Sequence, residues 1–277
     1  MLTVFAIPKA WHGRIAAIQR NALRSWRSLR DDVEVVLLGD EPGTAEAAEE
    51  IGARHVADVA RSEHGTPRID DAFRRVDEIA SNPLHVFLNA DVVLLDDFLP
   101  AVGRVQQAFD RFLVVGETHD VAVAEDLELE DPAVRSVLRE RALAEGRSRG
   151  ATAIDYFVFP AGLFDPIPPF VVGRARFDNW LVWRARQRAA VVDATKAVVA
   201  VHQRHDYGHV GGGLEEAHFG PEAAANAALA GDRTAYTIYD ASHRLRPDGA
   251  IVRYAGSALR VRERTRKAAW KLARLRR

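Results

Sequence analysis

Cysteine is absent from these 277 residues, and methionine occurs once. Without cysteine there is no disulfide, no thiolate metal site and no thiol nucleophile, and the chain suits a reducing compartment. Long apolar runs are missing too. Nothing approaches the roughly 20 residues that cross a bilayer, and the start, MLTVFAIPKAW, has neither the basic opening nor the apolar stretch of a secretory leader. A cytoplasmic location is therefore the expectation. Internal repeats and low-complexity linkers are also lacking.

What is present is a core-forming composition, 48% hydrophobic, with a pattern that alternates. LTVFAIP reads as a buried strand, RIAAIQRNALRSWRSL as an amphipathic helix with Ile15, Ile18, Ala22, Leu23 and Trp26 inward, and VEVVLLGD as a second strand. A short helix in GTAEAAEEIGA, a strand in RHVADVA, a helix in RIDDAFRRVDEIAS and a strand in LHVFLNA continue the series. Strands that alternate with helices and read as continuous apolar runs predict a parallel sheet covered on both faces. Ligands of such sheets collect at the carboxyl ends of the strands, which places Asp40 and Asp91 in one crevice. The second half is less regular. FLVVGETHDVAV predicts a strand, residues 125–149 an acidic-then-basic helical segment, AIDYFVFPAGLF a strand, RFDNWLVWRARQ a helix capped by Asp178, and AVVDATKAVVAVHQ two short strands.

Within VFLNADVVL a carboxylate, Asp91, stands at the tip of an apolar strand. Such a group is costly unless it is solvated, hydrogen-bonded or bound to a cation. VHQRHDYGH then supplies His202, His205, Asp206 and His209, and imidazole with carboxylate suits Mn²⁺ or another divalent ion carrying phosphate oxygens. Ordinary surface or core histidines are the alternative.

The βαβ start, Asn89-Ala90-Asp91 at a strand end, the later FDNW and the closing histidines resemble a GT-A fold glycosyltransferase of the nucleotide-diphospho-sugar transferase superfamily, over about residues 1–210. The resemblance implies a GT-A-like, mixed but mainly parallel α/β sheet with helices on both faces. It implies a glycosyltransferase that moves a sugar from a nucleotide-diphosphate donor to an acceptor hydroxyl, assisted by Mn²⁺ or Mg²⁺. Asp91 matches the last carboxylate of the family's D-x-D motif, while the first is replaced by Asn89, which loses a charge. Asp91 with His202 or His205 would then hold the metal. The resemblance puts Pro8 and Lys9 beside the nucleotide, Asp40 at the base, and Thr66, Arg68 and Asp70 at base and ribose, with a plain loop and helix cap as the alternative for the last three. Asp178 corresponds to the acceptor-side catalytic base, or else is only a cap. Asp155 is a second candidate at the sugars, or a turn residue. Inversion and retention both stay open.

Neither G-x-G-x-x-G nor a Gly- and Arg-rich phosphate loop follows the first strand in AIPKAWHG, which argues against a dinucleotide-dependent dehydrogenase and a nucleotidyltransferase. A sugar-nucleotide hydrolase or other metal hydrolase using HQRHDYGH, and a non-catalytic nucleotide-sugar binding protein, stay as alternatives. The expected organisation is a GT-A-like domain over 1–220, an α-rich extension over 221–257 and a basic amphipathic helix over 258–277. From Ala258 the chain holds nine Lys/Arg and one Glu, a net +8, which leaves −9 on residues 1–257 of a chain of formal charge −1. Val261, Thr265, Ala268, Leu272 and Leu275 fall on one face of that helix. Packing on the body and adsorption to an anionic membrane surface, where a carbohydrate or lipid-linked acceptor would be met, are its two main readings. A nucleic-acid partner is not expected.

Overall fold

A computed structural model describes residues 1–123, 125–205 and 213–254. Its first half is a regular alternation: β1 (Thr3–Ala6), α1 (Gly13–Arg27), β2 (Glu34–Leu38), α2 (Thr44–Ile51), β3 (Arg54–Val56), α3 (Ile69–Ile79) and β4 (Leu84–Leu88). β1 pairs in parallel with β2 and β4, and β2 with β3. These strands are apolar at nearly every position because helices cover both sides. Ala22, Leu23 and Trp26 of α1 pack on one face, and Ile69, Phe73 and Val76 of α3 on the other. Phe73 stacks on Phe159 at 5.4 Å between ring centroids. Trp26 is fully buried, and its indole N–H donates to the Val92 carbonyl at 2.9 Å.

The second half adds β5 (Val92–Val93), α4 (Phe98–Ala108), β6 (Phe112–Val115), β7 (His119–Val121), α5 (Pro132–Glu145), β8 (Arg147–Ser148), β9 (Tyr156–Pro160), α6 (Phe177–Arg186), β10 (Ala190–Asp193), β11 (Val201–Gln203), α7 (Gly213–Phe219), α8 (Pro221–Ala230), β12 (His243–Leu245) and β13 (Ile251–Arg253). The main sheet runs β13-β12-β10-β6-β9-β4-β1-β2-β3 and is mainly parallel, with β9 and β13 reversed. This is the mixed α/β sheet expected from the alternation. A second sheet, β5-β11-β7-β8, stands over the carboxyl end of β4. Val93, Leu95, Val121, Leu138 and Val201 form a third apolar cluster between that sheet and α5.

Three boundaries differ from the sequence reading, each for a local reason. β3 ends at Val56 rather than running to residue 60, because the Ala60 N–H donates to Asp71 Oδ2 at 2.7 Å instead of to a strand. α5 fills only part of 125–149: Asp131 caps it, accepting from the Ala133 N–H at 2.8 Å, with Pro132 in the first turn. α6 is not capped by Asp178. The chain enters it through Arg176 in left-handed backbone at φ 100°, so Asp178 lies inside the first turn. Residues 221–257 are not only helical, since β12 and β13 complete the edge of the main sheet. The basic stretch 258–277, with Asp206 and His209, lies outside the described residues. Among the described residues no helix is long and apolar enough to cross a membrane.

Candidate functional site

β4 ends at Leu88, and the next two turns of chain are held by partners that arrive from far along the sequence. The β4–β9 register sets Leu88 opposite Tyr156, so Asn89 lies beside Asp155. The Asn89 N–H donates to the Asp155 carbonyl at 3.0 Å, and its amide Nδ2 to Asp155 Oδ1, also at 3.0 Å. Asp91 follows and is 4% exposed. β11 runs antiparallel to β5 with His202 opposite Val92, which brings His202 next to Asp91. Gln203 locks the crossing: its N–H donates to the Asp91 carbonyl at 3.2 Å, its amide donates to the Ile18 carbonyl at 2.7 Å, and it accepts from Asn21 Nδ2 at 2.9 Å.

The result is a buried charged cluster. Asp91 Oδ2 lies 2.8 Å from Lys9 Nζ and 3.0 Å from His205 Nε2, and Asp91 Oδ1 lies 3.8 Å from His202 Nε2. Burial pushes the Asp91 carboxyl up, but Lys9, His202 and His205 outweigh it and hold the group well below the usual carboxylate range. It is therefore an anion at neutral pH. Its Oδ1 is buried without a hydrogen-bond partner among the described residues, which leaves lone pairs for a ligand. Ligand atoms of Asp91, His202 and His205 all lie within 4.8 Å of one another. One carboxylate and two imidazoles fit a transition-metal dication such as Mn²⁺ better than Mg²⁺, which prefers oxygen ligands. His202 Nδ1 lies 2.9 Å from Asp120 Oδ1, so with the proton donated there Nε2 carries the lone pair and can serve as a ligand atom. The bond to His202 holds the Asp120 carboxyl down to about 2 against the effect of burial, with Arg204 adding to it.

Beside the cluster opens a cavity of about 310 Å³, lined by Arg147, Arg149, Arg204, Asp120, His202 and His205 among others. Arg149 Nη1 lies 2.7 Å from His202 Nε2, and Arg204 pairs with Asp120 at 2.7 Å. The sequence reading did not single out these arginines or Asp120. Arg147 and Arg149 sat at the end of a presumed helical segment, whereas β8 pairs with β7 and turns them into the crevice.

The other expected site residues divide. Pro8 and Lys9 follow β1 as anticipated, with Lys9 inside the cluster. Asp40 is an exposed group after β2, ion-paired with Arg61. Thr66 Oγ1 donates to Glu222 at 2.7 Å, and Arg68 pairs with Asp70 at 2.6 Å, so these side chains are bonded within the loop and to α8. The catalytic role expected for Asp155 meets a different geometry. The residue is 4% exposed; its oxygens accept from Asn89 and from Thr118 Oγ1 at 2.5 Å, and it is ion-paired with Arg149 at 3.2 Å. Asp178 accepts from the Asn179 N–H at 2.9 Å and is not among the cavity's described lining.

No protein-family model matches the sequence, and a search of curated proteins gave no match. Solved structures do match. Glucosyl-3-phosphoglycerate synthase from Mycobacterium tuberculosis with Mn²⁺, uridine-diphosphate-glucose and phosphoglyceric acid superposes at a TM-score of 0.53 and 17% identity, over 85% of this chain and 80% of that one. The same enzyme with Mn²⁺, uridine-diphosphate and glucosyl-3-phosphoglycerate gives 0.52 and 18%, over 92% and 87%. The fold is that of the GT-A glycosyltransferases. At these identities the likeness concerns the fold. Residues 1–349 of S. aureus TarS give 0.49 and 11%, over 73% of this chain, which spans 60% of theirs. In this GT-A fold the cluster around Asp91 sits just past the carboxyl end of β4, and two of its members, His202 and His205, line the cavity.

Proposed function

We propose that the protein is a glycosyltransferase that moves a sugar from a nucleotide-diphosphate donor to an acceptor hydroxyl. The observation that carries this reading is Asp91: a buried, ionised carboxylate with one open oxygen, joined by His202 and His205 at a strand end of a GT-A fold. Those three residues would hold a divalent cation, which supplies positive charge for the departing diphosphate. The crevice beside Pro8 and Lys9 takes the diphosphate, and Asp40, Thr66, Arg68 and Asp70 lie on the path of base and ribose. Asp178, in the first turn of α6, is the group that takes the acceptor proton. Asp155 acts by position, because it ties Asn89, Thr118 and Arg149 together beneath the site.

The anionic end of the acceptor enters the cavity lined by Arg147, Arg149 and Arg204, which leaves its hydroxyl outside that lining for Asp178. Three guanidiniums against one lining carboxylate, Asp120, favour an acceptor that carries a phosphate or carboxylate group. A carbohydrate or lipid-linked phosphate meets that description. The stretch 258–277 would bring the enzyme to an anionic membrane surface on the cytoplasmic side, where such lipids are found.

A thermal-shift panel of nucleoside diphosphates, with and without Mn²⁺, tests the donor half. A ligand at about 100 times its dissociation constant stabilises the fold by about 2.7 kcal/mol, a shift of several degrees. Absence of any shift with every diphosphate would remove the transferase reading. Product analysis then separates transfer from hydrolysis: free sugar as the sole product, whatever anionic acceptor is added, would favour a sugar-nucleotide hydrolase.

A further inference from the structure

Lys9 occupies the place of a cation. Its backbone N–H donates to Gln19 Oε1 at 2.7 Å, and its carbonyl accepts from Gln19 Nε2 at 2.9 Å. Gln19 is a buried residue of α1, so one rigid amide clamps Lys9 on both sides and fixes the root of its side chain at the end of β1. From that root the ammonium reaches Asp91 Oδ2 at 2.8 Å and His205 Nε2 at 3.1 Å. These are two of the three groups able to hold a metal ion. The ammonium therefore lies against the carboxylate and against the imidazole nitrogen that a divalent cation held by Asp91 and His205 needs, even one that takes the open Oδ1.

The two cations cannot share those atoms. An ammonium and a dication both against Asp91 and His205 Nε2 would repel strongly in a site with little water to screen them. The Lys9 side chain is 27% exposed, against 5% for Asp91, so the lysine has a route into the crevice and the carboxylate does not. We infer that Lys9 is a resident counter-ion of the metal site. It holds the Asp91-His205 pair assembled before metal arrives, and it withdraws when the cation enters. Its short tether at the end of β1 leads it toward the space assigned above to the donor's diphosphate, whose oxygens accept its three N–H donors. Lys9 thus weakens metal binding to the empty enzyme, and the diphosphate restores it. Metal and nucleotide then bind with positive coupling, and by linkage each raises the affinity of the other by the same factor. The second half of this inference rests on the nucleotide-diphosphate reading of the crevice, while the first half rests on the cluster alone.

The test is a titration of Mn²⁺ into the full chain, followed by the electron paramagnetic resonance of free Mn²⁺, without nucleotide and then with saturating uridine diphosphate. Wild type, Lys9→Met, Lys9→Arg and Asp91→Asn are compared. Lys9→Met is expected to bind Mn²⁺ alone about tenfold or more tightly than wild type, Lys9→Arg to stay as weak as wild type, and Asp91→Asn to lose binding. Uridine diphosphate should raise Mn²⁺ affinity in wild type by about 5- to 150-fold, the usual span of coupling between sites, and by distinctly less in Lys9→Met. Equal or weaker Mn²⁺ binding by Lys9→Met overturns the inference. So does a lack of Mn²⁺ binding in every variant, although nucleotide binding would then still leave the transferase reading standing. Thermal melts report folding, and Lys9→Gln serves the same comparison if the methionine variant does not fold.

Discussion

Two buried carboxylates of this protein are treated in opposite ways. Glu222, in the first turn of α8, has a partner at each oxygen: Oε1 accepts from Ser62 Oγ at 2.5 Å, and Oε2 accepts from Thr66 Oγ1 at 2.7 Å and is ion-paired with Arg174 Nη2 at 2.8 Å. Asp91 shares Oδ2 between Lys9 and His205 and leaves Oδ1 buried without a hydrogen-bond partner among the described residues. Both anions are stabilised, but only one is finished. A carboxylate with both oxygens engaged fastens a loop to a helix, as Glu222 does for residues 62–66. One with an unused buried oxygen keeps a place for a ligand, at a cost in stability that a bound cation offsets.

The contrast is broken most directly at Asp91. Asp91→Ala should lower transfer by about three orders of magnitude or more and abolish Mn²⁺ binding, while the midpoint of thermal unfolding stays close to wild type, because removing the buried Oδ1, unpartnered among the described residues, offsets the loss of the pairs with Lys9 and His205. A large fall in that midpoint would show Asp91 to be a fastener like Glu222. Asp178→Asn extends the comparison to a third carboxylate. It keeps the size of the side chain but cannot take a proton, so turnover should fall by about two to four orders of magnitude with nucleoside-diphosphate affinity unchanged. Proportionate losses of stability and turnover would reduce Asp178 to a structural group.

Glu222 gives the reverse pattern. Glu222→Gln leaves Arg174 without its ionic partner and should cost about 2–4 kcal/mol in denaturant unfolding, with turnover per folded molecule little altered. The smallest effect is its pH dependence. Burial pushes the Glu222 carboxyl up, but Ser62, Thr66 and Arg174 outweigh it and lower it from the ordinary value of 4.5. A depressed folded-state value means that the contribution is complete above about 4.5 and is lost as pH falls through the lowered value. The stability gap between wild type and Glu222→Gln should therefore be widest near neutrality and shrink on acidification below pH 4.5. A gap that widens in acid would reverse the assignment of Glu222 as an ionised partner.

Much of the frame was legible in advance because its signals are local. The apolar runs of β1, β2 and β4, and the 3.6-residue periodicity of α1 and α3, each lie within a dozen or so residues, and together they determine a parallel, helix-covered sheet. The same run-and-stop pattern put Asp91 at a strand end, and VHQRHDYGH exposed the histidines by their density. Asp178 was misplaced as a cap for an equally local reason: helix-start signals mark a preferred residue type, and the left-handed turn at Arg176 is not written in them. The arginines of the cavity escaped because β7, β8 and β11 are only two or three residues long, too short for any periodicity.

By itself, then, the sequence determined the alternating elements, the place of Asp40 and Asp91 along one edge of the sheet, and the residue types available there. Only the tertiary structure decided which of them meet. The reversed β9 sets Asp155 against Asn89, 66 residues apart. The crossing of β11 over β5 carries His202 and His205 to Asp91, and the Gln19 clamp aims Lys9 at the same carboxylate across 82 residues. Contacts of that span depend on strand register and on the order in which strands pair, and register is a property of the assembled sheet rather than of any stretch of chain.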